Sequence, residues 1–367
     1  MDQVKKDYRK FFRIFLILFI LSFGVNLFLL DFYFKERKST PFLPPKEDKK
    51  IQEVKPPLLP PKEDRKIQEA KPPLLPPKED KKIQEVKAPL EVVPLPLVHI
   101  QNNDYVLICD KQNRILHLYR SKEGRLSLIK SYTCIIGSNN VDKKEAGDLA
   151  TPEGIYFLTS FMTGKYLHEK YGIGAYALNY PNFLDRKEGK KGSGIWLHGY
   201  SERLERPPSS EGCVVVKDEF LKELMGFIKI GETPMVIVDT LRYEPAEDQR
   251  KLLQTLSHFI KEWETAWESR NTAKYLNHYS RNFVTSDGKD YQKFKEYKSR
   301  VNEYKKFIQL QIEQKAFLLS QKNGGRIAVM RINQHYNSDN LKSYSRKVLY
   351  LKEEKPGKWE IIGEVIL

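Results

Sequence analysis

The segment PPKEDKKIQEVKPPLL begins at Pro44, recurs as PPKEDRKIQEAKPPLL from about Pro60 and returns near Pro76. Each copy, about 16 residues long, alternates a proline cluster with a charged stretch holding a single isoleucine. Such a unit has too little apolar surface to offset the entropy of ordering its backbone, so it cannot build a core. The period is also too short for helical solenoid repeats. Residues 37–96 are therefore read as a semi-rigid linker. Proline stretches extend at about 3.1 Å per residue, so about 50 such residues reach on the order of 150 Å. Folded structure has to lie on either side of this tether.

On the amino-terminal side, residues 14–30 read IFLILFILSFGVNLFLL. With Phe11 and Phe12 the run approaches the ~20 apolar residues that a spanning helix needs. Lys5, Lys6, Arg9, Lys10 and Arg13 precede it, which keeps the first residues on the cytoplasmic side. The run ends in Leu29, Leu30, Asp31, Phe32 and Tyr33 without a small-x-small cleavage site. Residues 1–36 are thus expected to be an uncleaved, single-pass membrane anchor. Lys plus Arg outnumber Asp plus Glu by 63 to 48, a formal net charge of +15, which suits a polyanionic partner or an anionic surface. Membrane and cell wall both qualify. No zinc-finger spacing, RNP-type strand or compact basic helix marks a nucleic-acid partner.

On the carboxyl-terminal side, order is expected from Leu97. Residues 105–110 (YVLICD), 114–119 (RILHLY) and 126–136 (LSLIKSYTCII) read as short strands of a meander. The stretch 192–216, GSGIWLHGYSERLERPPSSEGCVVV, holds the chemistry. It places His198 at the end of one apolar run and Cys213 in a small-residue turn before another. A thiol beside an imidazole can become a nucleophile, because the imidazole takes its proton and the two charges stabilise each other. Cys109 and Cys134 lie within strand runs and read as small buried hydrophobes, with mutual pairing as the alternative in an oxidising compartment. His117 and His168 have no carboxylates at metal-ligand spacing, so no metal and no cofactor is expected. Lys187, Lys190 and Lys191 read as a solvated basic loop that can attract anions.

The order TPEG (151–154), LNYPN (178–182), GSGIWLHG (192–199) and SSEGC (209–213) resembles the L,D-transpeptidase catalytic domain of YkuD type over roughly residues 97–240, within an expected catalytic domain of 97–242. The resemblance implies a β-rich fold, peptidoglycan stem peptides as substrate and Cys213 as nucleophile. It makes His198 the acid/base, oriented by the Gly199 carbonyl. Gly212 and Cys213 supply oxyanion N–H groups, and Ser210 braces the turn. Tyr180, Asn182, Trp196 and Glu211 are carried as weaker substrate-binding candidates. Two departures stand out: Glu211 occupies a position where the family usually has His, Arg or Lys, and Val214 and Val215 replace polar or basic residues. These favour the branch of cell-shape-determining L,D-carboxypeptidases, which remove a terminal D-Ala from tetrapeptide stems. The alternatives are an L,D-transpeptidase and a noncatalytic wall-binding scaffold. The resemblance also implies an inner-membrane anchor with the catalytic part in the periplasm, and other cell-wall or cell-shape proteins as partners.

From residue 243 the pattern changes. Residues 248–269 put Leu252, Leu256, Phe259, Ile260, Trp263 and Trp267 on one helical face. Two shorter helical segments follow, then four strand-like runs separated by GlyGly and ProGly turns. Residues 243–367 resemble an NTF2-like domain, an α+β cone. Trp263, Tyr275, His278, Tyr279 and Tyr344 are the candidates to line its cavity. The expected architecture is multidomain: anchor, linker, β-rich catalytic domain and NTF2-like cone.

Overall fold

The computed structural model describes residues 91–367, apart from 165–166, 202, 204–207 and 323–324. The expected anchor and most of the linker lie outside the described residues. The first strands are β1 (Val92–Pro94), β2 (Leu97–Ile100), β3 (Tyr105–Asp110), β4 (Ile115–Lys122), β5 (Arg125–Thr133), β6 (Gly154–Thr163) and β7 (Gly174–Leu178). Helix α1 (Phe183–Lys187), β8 (Trp196–Tyr200), β9 (Val214–Lys217), α2 (Asp218–Leu224), β10 (Pro234–Val238) and β11 (Tyr243–Pro245) follow. The remainder is α3 (Ala246–Glu268), α4 (Thr272–Leu276), β12 (Tyr279–Thr285), α5 (Tyr291–Tyr304), β13 (Ile308–Lys322), β14 (Gly325–Ser338), β15 (Lys342–Lys355) and β16 (Lys358–Ile366).

Two large sheets result. One has eight strands in the order β5-β4-β3-β10-β6-β7-β8-β9; the other has six, in the order β12-β16-β15-β14-β13-β2. The runs YVLICD and PMVIV lack polar alternation because both of their faces are covered. In β3, Leu107 and Cys109 enter the core of the eight-stranded domain, while Val106 and Ile108 enter a second apolar cluster on the opposite face. The six-stranded sheet mirrors this. Leu349 and Leu351 of β15 point into the cone, whereas Val348 and Tyr350 point into that same second cluster. A period of two therefore splits each central strand between its own core and a shared layer joining the domains.

Phe183 of α1 is the plug of this layer. Its ring stacks on Tyr350 with centroids 4.9 Å apart, and a Cβ added to Gly363 of β16 would come within 2.2 Å of it. Burying one such aromatic contributes about 1.5–3 kcal/mol, which ties the catalytic domain to the cone.

One boundary differs from the sequence expectation. Leu97–Ile100, read as the start of the catalytic domain, is an edge strand of the C-terminal sheet, with His99 opposite Phe317. Strand structure is also present ahead of Leu97, where Val92–Pro94 pairs with Tyr243–Pro245. Chain order conceals this because the partner strand is more than 200 residues away.

Helix α3 buries Leu252, Leu256, Ile260, Trp263 and Trp267, the face that the periodicity predicts, with Phe259 only partly covered. The aromatic residues expected to line an open cone mostly fill it instead. Trp263, Tyr275 and Tyr279 are buried core side chains, and Tyr344 is exposed on β15. His278 packs edge-on to Phe259. Inside the cone a charged group remains: the Lys298 ammonium lies 4.0 Å from the Trp267 ring centre, and Lys347 pairs with Glu364 at 2.5 Å. Burial pulls the Lys298 amine down to about 7, against the nearby Glu364, which favours its charge.

Candidate active site

Strands β8 and β9 run parallel, with Leu197 opposite Val214 and His198 opposite Val215. Alternation then sends Leu197, Val214 and Val216 into the domain core. Trp196, His198 and Tyr200 share the other face of β8, and Val215 of β9 shares it with Cys213, the residue just before that strand. Cys213 packs in a small cluster with Ile135, Tyr200 and Val215. It stands diagonally from His198 on the neighbouring strand, a separation that side chains span.

The turn into Cys213 is built by Ser210, Gly212 and the segment 135–138. Ser210 N–H donates to Ile136 O at 2.8 Å, and Ile135 and Val215 exchange two backbone bonds of 2.8 Å. The Ser210 hydroxyl donates to Cys213 O at 2.6 Å and accepts the Gly212 N–H at 3.0 Å. Thr151 of TPEG, fully buried, accepts the Gly137 N–H at 2.9 Å and so holds the strap against which the turn rests. The Gly212 N–H, expected to be an oxyanion donor, is thus engaged by Ser210, and Cys213 N–H is left as the candidate donor.

His198 is 6% exposed, and its Nδ1 lies 2.7 Å from Gly199 O. A carbonyl only accepts, so Nδ1 carries the hydrogen and Nε2 is left to take a proton. No carboxylate is needed for that tautomer. Asp218, at the start of α2, nevertheless lies close. It accepts the Ile173 N–H at 3.0 Å, and a Cβ on Gly199 would fall 2.1 Å from its Oδ1.

Burial lowers the His198 imidazole below its ordinary value, with the Gly199 bond working the other way. Burial likewise pushes the Cys213 thiol up to about 11; a backbone hydrogen bond from Trp196 opposes the rise first, Glu211 adds to it, and Lys170 and Lys143 oppose it further. A raised thiol and a lowered imidazole are both neutral at pH 7. The resting pair is a thiol and an imidazole, and proton transfer accompanies attack. The alkylation rate of Cys213 by iodoacetamide, measured against Cys213→Ala, should therefore climb about tenfold per pH unit from 7 to 10. A plateau already reached below pH 7 would show a preformed ion pair instead.

The other sequence candidates separate. Trp196 belongs to the site: its ring lies 4.9 Å from that of Tyr171, which is edge-on to His198 at 5.0 Å. Glu211 projects outward, 81% exposed, with its nearest charge at Lys170, 3.9 Å away. Tyr180 and Asn182 spend their hydrogen bonds away from Cys213 and His198. Tyr180 is buried, and its hydroxyl donates to Lys191 O at 3.0 Å. Asn182 caps α1 by accepting the Leu184 and Asp185 N–H groups. Val214 and Val215 are buried strand residues, so their apolar character answers to packing rather than substrate grip.

Lys190, read as part of a solvated loop, is buried against Asp142, Asp185 and Glu188. Asp142, Glu188 and Lys190 edge a cavity of about 930 Å³ between the two domains, which contains neither Cys213 nor His198. His117 bonds Ser131, and His168 caps the 3-10 turn Glu169–Tyr171. Among the described residues no cluster of His, Cys, Asp or Glu could hold a metal. The Cys109 and Cys134 sulfurs lie 4.0 Å apart as buried free thiols.

Sequence reasoning missed Lys170, Tyr171 and Asp218 as site residues. The only signal was the Tyr–Gly pair at 171–172; linear spacing to His198 carries nothing, because a separate loop brings the turn to the site.

Fold and site together define a β-rich domain with a cysteine and a histidine on neighbouring parallel strands, followed by an α+β cone. Family profiles match both parts: the L,D-transpeptidase catalytic domain over residues 104–237, and the Cds6 C-terminal NTF2-like domain over residues 255–365. Bd1075 of Bdellovibrio bacteriovorus is 30% identical, with a TM-score of 0.64, covering 75% of this chain and 98% of that one. Pgp2, the helical cell shape determining protein of Campylobacter jejuni, is 24% identical, with a TM-score of 0.61, covering 74% and 94%. No curated protein matches by sequence. The chain belongs to the YkuD-type L,D-transpeptidase family, in the form that carries a C-terminal NTF2-like domain.

Proposed function

We propose that the chain is a cysteine-dependent L,D-carboxypeptidase that removes the terminal D-Ala from peptidoglycan tetrapeptide stems. The observation that carries this reading is the shared face of β8 and β9, where Cys213 stands diagonal to an imidazole whose Nδ1 hydrogen is engaged by Gly199 O. Cys213 Sγ attacks the carbonyl between the diamino acid and D-Ala as His198 Nε2 takes the thiol proton. The Cys213 N–H donates to the developing oxyanion. Collapse breaks the C–N bond, His198 returns the proton to the leaving amine, and a thioester remains. Water, deprotonated by His198, then releases the tripeptide and restores the thiol.

The likeness to Pgp2 over both domains supports a role in cell shape. The apolar run before the linker supports an inner-membrane anchor with the catalytic part in the periplasm. The layer shared between the domains supports a C-terminal domain that positions the catalytic domain on the wall polymer. Incubation of the purified chain with tetrapeptide muropeptides tests the reading. Free D-Ala and tripeptide are expected; cross-linked dimers would make it a transpeptidase, and no product at all would leave a wall-binding scaffold.

A further inference from the structure

We propose that Lys170 recognises the free C-terminal carboxylate of the peptide being cleaved, and that Glu211 is the partner this carboxylate displaces. The inference rests on the reading of Cys213 as the nucleophile for a stem peptide.

His198 sets the orientation of the bound peptide. The amine leaving the scissile bond must take its proton from the imidazole, so the residue carrying that amine lies on the His198 side of the thiol. Its carboxylate is two covalent bonds from the amine nitrogen, and a cation has to wait a few ångströms beyond the imidazole. The chain places one there. The Tyr171 ring stands edge-on to His198 with centroids 5.0 Å apart, and the Lys170 ammonium sits 5.1 Å from that ring's centre. The charge of Lys170 is felt by both His198 and Cys213.

Of the two lysines whose charge reaches the thiol, Lys143 is committed: it is buried and bonded to Asp148 at 2.6 Å. Lys170 is half exposed, and its carboxylate neighbour Glu211 stands at 3.9 Å. An exposed pair at that distance contributes little, so a substrate carboxylate in better geometry can take the ammonium from it. The outward Glu211 then acts as a competitor for Lys170 and not as a substrate ligand. Tyr171, held between Trp196 and His198, fixes where the lysine stem leaves the backbone.

The test measures binding, so that it stands apart from turnover. The full chain carrying Cys213→Ala is titrated in detergent with a stem tetrapeptide ending in D-Ala, and with the same peptide as its C-terminal amide. The acid should bind at least tenfold tighter than the amide. Adding Lys170→Gln should collapse that ratio to near one, Lys170→Arg should restore it, and Glu211→Gln should strengthen acid binding several-fold while leaving the amide unchanged. A ratio that survives Lys170→Gln overturns the proposal, as does failure of the tetrapeptide to bind. If the ratio responds as expected but the unmutated chain releases no D-Ala, carboxylate recognition stands and the carboxypeptidase reading falls.

Discussion

Cys213→Ala is expected to reduce D-Ala release from tetrapeptide stems at least about 10⁴-fold in kcat, to the level of the reaction without enzyme. The half-buried Cys213 immediately precedes β9, in contact with Ile135, Tyr200 and Val215. Alanine fits the same space, so the fold should change by less than about 1 kcal/mol. The loss is therefore chemical: without sulfur no thioester forms, and His198 has no proton to take. Nucleophile and base act as one unit, so adding His198→Gln to Cys213→Ala should lower the rate little further. Release of D-Ala by Cys213→Ala at more than a hundredth of the normal rate would place the nucleophile elsewhere.

The second large effect concerns Gly212. Its φ is +125°, a conformation that L side chains rarely adopt. An added Cβ would meet Ala150 O at 2.7 Å and Ile195 Cδ1 at 3.1 Å. Gly212→Ala should cost about 1–3 kcal/mol of stability through backbone strain. It should cost activity more heavily, because the turn also carries the Ser210 bonds that fix Cys213, and a displacement near 1 Å lowers the rate about 10²-fold. Gly357→Ala is the control. That glycine also has positive φ, but nothing lies within 4 Å of the added carbon, so Tm should fall while kcat holds. Thermal melts and D-Ala release on both variants separate the two costs; a Gly212→Ala chain with half its activity would show that the turn does not set the nucleophile.

The predicted helical face of α3 and the four final strands were legible because period 3.6 and period 2 are local properties of the chain. The placement of Cys213 and His198 in one stretch was legible for the same reason, since His198 lies within one short apolar strand and Cys213 immediately before another. What misled the reading was polarity without context. Asn182 and Tyr180 are polar residues near the motif, yet their hydrogen bonds are spent on a helix cap and on Lys191 O. Lys190 looked solvated in a run of lysines, but Asp142, distant in sequence, joins the nearby Asp185 in burying it as an ion pair. The aromatic residues of the cone suggested a lining and turned out to be its filling, because Trp263 and Tyr275 pack on Trp267.

The sequence by itself determined that the repeat starting at Pro44 cannot bury a core, since it alternates prolines and charges with a single isoleucine per copy. It also determined which strand residues face one way, because alternation is a property of the backbone. Only the tertiary structure decided that Leu97–Ile100 belongs to the distant sheet, that Tyr171 flanks the imidazole with Lys170 over its ring, and that the Gly212 N–H is engaged by Ser210. Those facts depend on which strands and loops meet in space, and a contact across many residues of chain leaves no period for the eye to read.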